Sequence, residues 1–351
     1  MTAFLNILQP GLMTTVQDLG RAGYQSLGIG LSGALDPTAL RAANLLVGNE
    51  PGEGGLELLY TGPTIEIEAD SVRLSFVGAN ATIEILPDIR ASSGTLIECQ
   101  RSIVVKRGEA VKIRSLTGSA SLYVGIEGGV AISPTLGSVS TNIRAGTGGW
   151  RARALVAGDR LPLRRLNASE RDEYKLDGVT FLPSRRIRAI PGPQHDHFDE
   201  SEVAKFFDSE FTVGTSDRVG MRLRGRRPIP HAKGFNIASD AIAPGSIQVP
   251  GDGQPIVLMA DRQTTGGYPK IATVISADLA ALGRLCVGAK LRFEPVTVEQ
   301  AYVLRRDMLS FLEGLASHIV PIRRSGVAMA PQLSGYNLIS GVVDARYSFD
   351  H

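Results

Sequence analysis

The chain has 351 residues, and its 37 Lys and Arg against 35 Asp and Glu leave a net charge of +2 with no long basic run, which speaks against nucleic acid as a partner. Hydrophobic residues make up 43% of it, yet no apolar run approaches the ~18 residues that span a bilayer, and residues 1–6 lack the basic region and apolar core of a secretory leader. No membrane association and a cytoplasmic setting are expected; Cys99 and Cys286 stand far apart in no CxxC pattern, so neither a disulfide framework nor a zinc knuckle is indicated.

The length suits two domains. With 40 Gly and 19 Pro beside so many hydrophobic residues, the composition favours many strands and turns over disorder. The first dense motif, TTVQDLGRAGY at 14–24, sets Asp18 and Arg21 three apart, where they can pair locally. Residues 37–47 predict a helix, with Asp36 as N-cap, Pro37 in the first helical position and Gly48 as stop. Ser32 and Asp36 precede it. Either the free amides there bind an oxyanion or carboxylate, or Asp36 merely caps the helix and Ser32 is a turn residue.

Segments 64–68, 72–77, 82–86, 102–106 and 110–114 alternate apolar and polar residues at period two, and Gly and Asp turns separate them. That spacing predicts an all-β barrel or sandwich and not helix-crossover units. A polar run at 167–175 divides two β-rich regions, so domains at 1–170 and 171–351 are expected. The halves are weakly alike, residues 118–129 and 158–163 paralleling 253–261 and 288–293, which suits a duplicated barrel. Further helices are expected at 200–207, 277–285 and 298–315, and the tail beyond gives no strong pattern. His195 and His197 flank Asp196 without a third ligand in view, and no metal is assigned. The arginines at 222–227 and 323–324 read as solvated surface.

The second dense motif runs from residue 245 into DRQTTGGYPK at 261–270. Its flanks, 256–260 and 271–275, read as buried strands, so the decapeptide is either a long hairpin turn satisfying its own backbone or a polar loop built for a ligand. Gln248, Gln254, Asp261, Arg262, Gln263, Thr264, Tyr268 and Lys270 supply amides, an acid, cations and a phenol that can orient an amide group and steady an oxyanion. Gly266 and Gly267 permit close approach of a ligand to the backbone. Asp261, Lys270 and Tyr268 are the catalytic candidates, with Lys270 a general base only if burial displaces its proton. The substrate-binding candidates are Ser32, Asp36, Gln248, Gln254, Arg262, Gln263, Thr264, Gly266 and Gly267. The chain has no Walker A pattern, no GxGxxG between strand and helix and no GxSxG elbow.

Taken together, TVQDLGR at 15–21, SGALD at 32–36, ANLLVGN at 43–49, Leu56-Glu57, Gly62-Pro63, GSVST at 137–141, PGP at 191–193, RVGMRL at 218–223, QVP at 248–250 and the decapeptide resemble one family. It is the biotin-dependent carboxyltransferase-like group once labelled allophanate hydrolase subunit 2. The group includes the C subunit of ATP-dependent 5-oxoprolinase, the sporulation-kinase regulator KipA and the second half of the urea carboxylase carboxyltransferase domain. The resemblance covers roughly residues 5–295 and implies a mainly β fold of two cyclophilin-like β-barrel domains with a few short helices. It also implies a subunit of a hydrolase or carboxyltransferase complex, inactive alone, or, as for KipA, a regulatory protein that binds a kinase inhibitor. The partners would be a subunit-1 (B-type, KipI-like) protein and a third lactam-hydrolase or biotin carboxylase subunit, acting on a small amide or lactam. No cofactor motif lies in this chain, so ATP or carboxybiotin would enter through companion subunits. GGWRARA at 148–154 and ASDA at 238–241 depart from the family's usual patterns.

Overall fold

A computed structural model describes residues 3–322; the expected tail and Arg323 and Arg324 lie outside the described residues. Strands dominate, arranged as an 11-stranded sheet and a closed barrel. Two long strands, Ser71–Leu86 and Ala110–Ile126, form the spine of the sheet and pair antiparallel almost throughout. Each contains a glycine-marked break that reads as a turn in sequence. Gly78 instead takes φ 125° inside a continuous strand, where the register shifts between Gly78 and Asn80, a bulge that bends the ladder without ending it. The sheet curls around Leu5, Ile7, Leu56, Leu74, Phe76 and Val124, all fully buried. Among the described residues its pairing runs as an open path from Ile319–Pro321 at one end to Arg160–Pro162 at the other.

The helix Pro37–Val47 has its expected bounds. Asp36 accepts from the amides of Thr38 and Ala39, and Gly48 ends the helix at φ 80°, the left-handed stop that glycine supplies most easily. Its apolar face, with Leu40, Ala43 and Leu46, packs with Val77 and Tyr123 in a core of its own, and Val47 is buried as well. The chain then leaves and re-enters the sheet. Tyr174–Leu176 pairs with Arg101–Lys106 and with Ile319–Pro321, so two strands from beyond the expected 170/171 boundary belong to the first unit.

Seven strands close the barrel, in the order Arg186–Pro191, Lys270–Val274, Ser246–Gln248, Ile256–Leu258, Gly220–Arg224, Glu210–Ser216 and Lys290–Pro295. The first and last strands join in parallel and close the ring. Alternating residues such as Phe211, Val213, Met221, Leu223, Ile247, Val257, Leu291 and Phe293 fill it. Of the other expected helices, Glu200–Asp208 and Val298–Gly314 form, the latter with a Thr297–Gln300 capping box. Residues 277–285 split into a 3-10 turn, Ser276–Asp278, and the short helix Leu279–Gly283. No helix among the described residues is long and apolar enough to cross a membrane.

Candidate functional site

The strands on either side of the decapeptide do not pair with each other. Ile256–Leu258 and Lys270–Val274 both pair with Ser246–Gln248, which lies between them. The loop is therefore no hairpin turn, because it crosses the end of an intervening strand. Gln248, 2% exposed, lies beneath it and donates from Nε2 to the Tyr268 carbonyl at 3.3 Å. Residues 240–242 cover its other side: Asp240 and Ala241 pair with Gly266 and Thr265, and Ile242 N donates to Thr264 O at 3.0 Å.

Asp261 opens the loop but points inward. Its carboxylate accepts from Ser32 Oγ at 2.6 Å and from Arg218 Nε and Nη2 at 2.8 and 3.0 Å. Arg218 also donates to the Gly33 carbonyl at 2.7 Å and to Glu57 Oε1. Glu57 in turn accepts from Leu35 N at 2.8 Å and the Tyr123 hydroxyl at 2.6 Å. Asp261, Arg218, Glu57 and Tyr123 are all buried. Burial by itself would lower the Arg218 pKa, but Glu57 and Asp261 outweigh it and hold the guanidinium firmly charged. Burial, reinforced by Glu57 and Asp36, keeps the Tyr123 phenol well above its ordinary range. Ser32 has φ 56°, uncommon for a residue with a side chain, and its bond to Asp261 holds it there.

This network fixes the 32–36 turn of the first unit to the 261 corner of the barrel. Asp36 joins the same seam. Besides capping its helix it accepts from Arg284 Nε at 2.6 Å, so its carboxylate is engaged on both sides, which favours the capping reading over a ligand role.

Lys270 lies at the far end of the loop. Its side chain is 1% exposed, and Nζ donates to Asp240 Oδ2 at 2.8 Å and Ala241 O at 3.2 Å. Gln194 Nε2 reaches the same Oδ2 at 3.0 Å. The hydrogen bond from Lys270, followed by that from Gln194, holds the Asp240 pKa down at about 2. Asp240 is half-exposed and Tyr268 is 40% exposed, so this end of the loop faces solvent. Gly266 and Gly267 differ. A Cβ on Gly266 would meet Ile242 Cδ1 at 2.7 Å and Gln248 Nε2 at 2.8 Å, whereas one on Gly267 would come no nearer than 3.4 Å to anything. Gln263 and Thr264 are partly buried between the two ends.

Arg262 is buried next to Asp261 yet faces away from the ion pairs. Nε donates to Ile242 O at 3.2 Å and Nη2 to Gln25 Oε1 at 3.0 Å. Nη1 has no partner among the described residues, and burial lowers the pKa to about 10.

The structure thus gathers Ser32, Gln248, Asp261, Arg262, Gln263, Thr264, Gly266, Gly267, Tyr268 and Lys270 around one loop. Gln254 is the exception: its amide oxygen accepts from Gly225 N at 3.1 Å, which commits it to the adjoining turn. Sequence reading missed Asp240, Gln194 and Gln25, which are far from their partners in the chain and carry no motif. Glu57 and Arg218 lay inside matched motifs, but nothing local announces their pairing. The loop offers a solvent-facing carboxylate held by a buried lysine, a phenol and a guanidinium with a donor unpartnered among the described residues, a set suited to holding a small polar molecule with amide or carboxylate groups.

The chain is a mainly β protein with a closed barrel, and it belongs to the family of the carboxyltransferase domain, subdomain A and B, whose model matches residues 27–295. It is 37% identical to the C subunit of 5-oxoprolinase from Escherichia coli strain K12 over 315 residues, 89% of this chain and 97% of that protein. With the corresponding 5-oxoprolinase protein of Haemophilus influenzae, also a C subunit, the identity is 35% over 311 residues, 88% of this chain and 96% of that one. The crystal structure of the K. lactis urea amidolyase superposes with a TM-score of 0.81 at 25% identity, covering 92% of this chain and 21% of that one. Against that larger enzyme the chain spans about a fifth of the length.

Proposed function

We propose that this chain is the C-type component of an ATP-dependent 5-oxoprolinase-type complex, acting with a subunit-1 (B-type) partner and a third subunit to open a small lactam or amide. The observation that carries this is its likeness to two 5-oxoprolinase C subunits along nearly the whole of each relative. Within that reading the Arg218 network holds the loop rigid, while Tyr268, the Lys270–Asp240 pair and Arg262 meet the substrate. Asp261 acts by positioning. Arg262 Nη1, without a partner among the described residues, suits a carboxylate. The sequence has no glycine-rich phosphate cradle of the Walker type, and ATP is assigned to a companion protein of the complex.

A second reading is a carboxyltransferase subunit of a biotin-dependent urea or amide carboxylase. The family description and the match to the K. lactis enzyme favour it. There the same Arg262 donor would take the carboxylate of carboxybiotin, delivered by another polypeptide. Co-purification with candidate companion subunits decides between them. ATP-dependent cleavage of 5-oxoproline supports the first, and biotin-dependent bicarbonate fixation with no lactam cleavage supports the second.

A further inference from the structure

Arg262 carries a feature that its general place in the loop does not explain. Its side chain is only 3% exposed, and a buried guanidinium is costly unless paired. The carboxylates of the loop and of the segment that covers it are committed elsewhere, Asp261 to Arg218 and Ser32, and Asp240 to Lys270 and Gln194. Arg262 instead has two neutral acceptors, Ile242 O and Gln25 Oε1, and an empty Nη1 among the described residues.

What covers Arg262 is a small surface turn. Gln25 begins the 3-10 turn Gln25–Leu27, which has no buried residue, and its amide bridges the site by accepting from Arg262 and donating from Nε2 to Ile242 O at 2.8 Å. Gly23 and Gly28 bracket the turn at φ 93° and 80°, and a Cβ on either would meet nothing within 4 Å. Their value is therefore backbone freedom and not space, as expected of hinge positions. Leu27 at its tip is 73% exposed, so little apolar burial opposes opening.

We propose that Arg262 anchors the carboxylate of a small carboxylic-acid substrate, and that the turn at 23–28 opens to admit it and closes over it through Gln25. With Gln25 swung aside, Nη1 and Nη2 present the two-pronged face that matches a carboxylate, while Nε stays on Ile242 O and fixes the guanidinium plane. For the identity of the acid this rests on the proposed lactam reading, since 5-oxoproline carries a carboxylate beside its ring amide.

The test is isothermal titration of the complex, purified with its companion subunits, using L-5-oxoproline and its primary amide. The wild-type complex should bind the acid at least tenfold more tightly than the amide. Arg262→Gln should erase that preference, and Arg262→Lys should restore part of it. Hydrogen exchange at 24–28 should slow when the acid is added. Equal binding of acid and amide by the wild type, which needs no variant, overturns the anchor, as does an R262Q complex with the wild-type preference. Unchanged exchange at 24–28 overturns the closure. The two levels separate cleanly: lactam cleavage with an unaltered KM in R262Q sinks the anchor and leaves the function standing. If no lactam is cleaved, titration with propionate and propionamide tests the anchor alone, an Arg262-dependent preference for the acid upholding it and equal binding refuting it.

Discussion

Arg218, in the turn between two barrel strands, and Glu57, on a strand of the 11-stranded sheet, form an ion pair with both side chains shut off from solvent. They are 161 residues apart in the chain. The same guanidinium holds Asp261 at 2.8 Å, so one cation ties the sheet, the barrel and the start of the loop together. Charge in such a place specifies a geometry, because a shifted interface would strand three buried ions.

Removing that cation leaves Glu57 and Asp261 as buried carboxylates without a counter-ion. Breaking a buried pair typically costs ~3–5 kcal/mol, and Arg218→Met should destabilise the chain by about that much in urea denaturation. A loss below ~1 kcal/mol, the scale of an exposed pair, would show that the junction is not held as described.

The two adjacent glycines of the loop should behave differently. Gly266→Ala drives a methyl group into Ile242 and Gln248, a crowding of the kind that costs ~1–3 kcal/mol. Gly267→Ala meets only ordinary contacts and should leave the melting temperature nearly unchanged. Equal effects from the two would contradict the packing of residues 240–242 over the loop.

Asp240 gives a pH signature. Its folded pKa is depressed to about 2 by Lys270 and then Gln194, against ~3.9 for an unfolded aspartate. A depressed acid contributes stability above its unfolded pKa and loses it as pH falls through the folded one. The wild type should therefore lose this contribution between about pH 4 and pH 2, and Asp240→Asn should flatten that part of its acid-unfolding profile. Superimposable profiles for the two proteins would rule out the Lys270–Asp240 contact in solution.

Lys270 and Asp261 sit at opposite ends of one loop and should fail in different ways. Lys270→Met leaves a half-exposed Asp240 that water can solvate, so the complex should assemble with a nearly normal melting temperature and lose its turnover. Asp261→Asn disturbs the buried network, and its melting temperature should fall together with activity. Full turnover in K270M would remove Lys270 from the site.

Local chemistry was legible in the sequence. Asp36, Pro37 and Gly48 set the helix Pro37–Val47 to the residue, because capping acts over one turn. The loop at 261–270 was visible as a polar stretch between apolar runs. The continuity of Ser71–Leu86 was not, since Gly78 reads as a turn unless the partner strand Ala110–Ile126 is known to follow it past the bulge. The Arg218–Glu57 pair was hidden because no spacing rule links residues that far apart. Gln254 was misread because it shares a polar run with Gln248, yet only Gln248 lies beneath the loop; the Gly225 backbone holds Gln254. The 170/171 boundary followed a change in polarity, and the chain crosses back to pair Tyr174–Leu176 and Ile319–Pro321 in the first sheet.

The most direct test of the whole account is the rate of ATP-dependent 5-oxoproline cleavage by the complex reconstituted with and without this chain. The account predicts turnover only when the chain is present, and its loss when Lys270 is replaced by Met in an assembled complex. Cleavage at the same rate without the chain, or biotin-dependent bicarbonate fixation in its place, would contradict it.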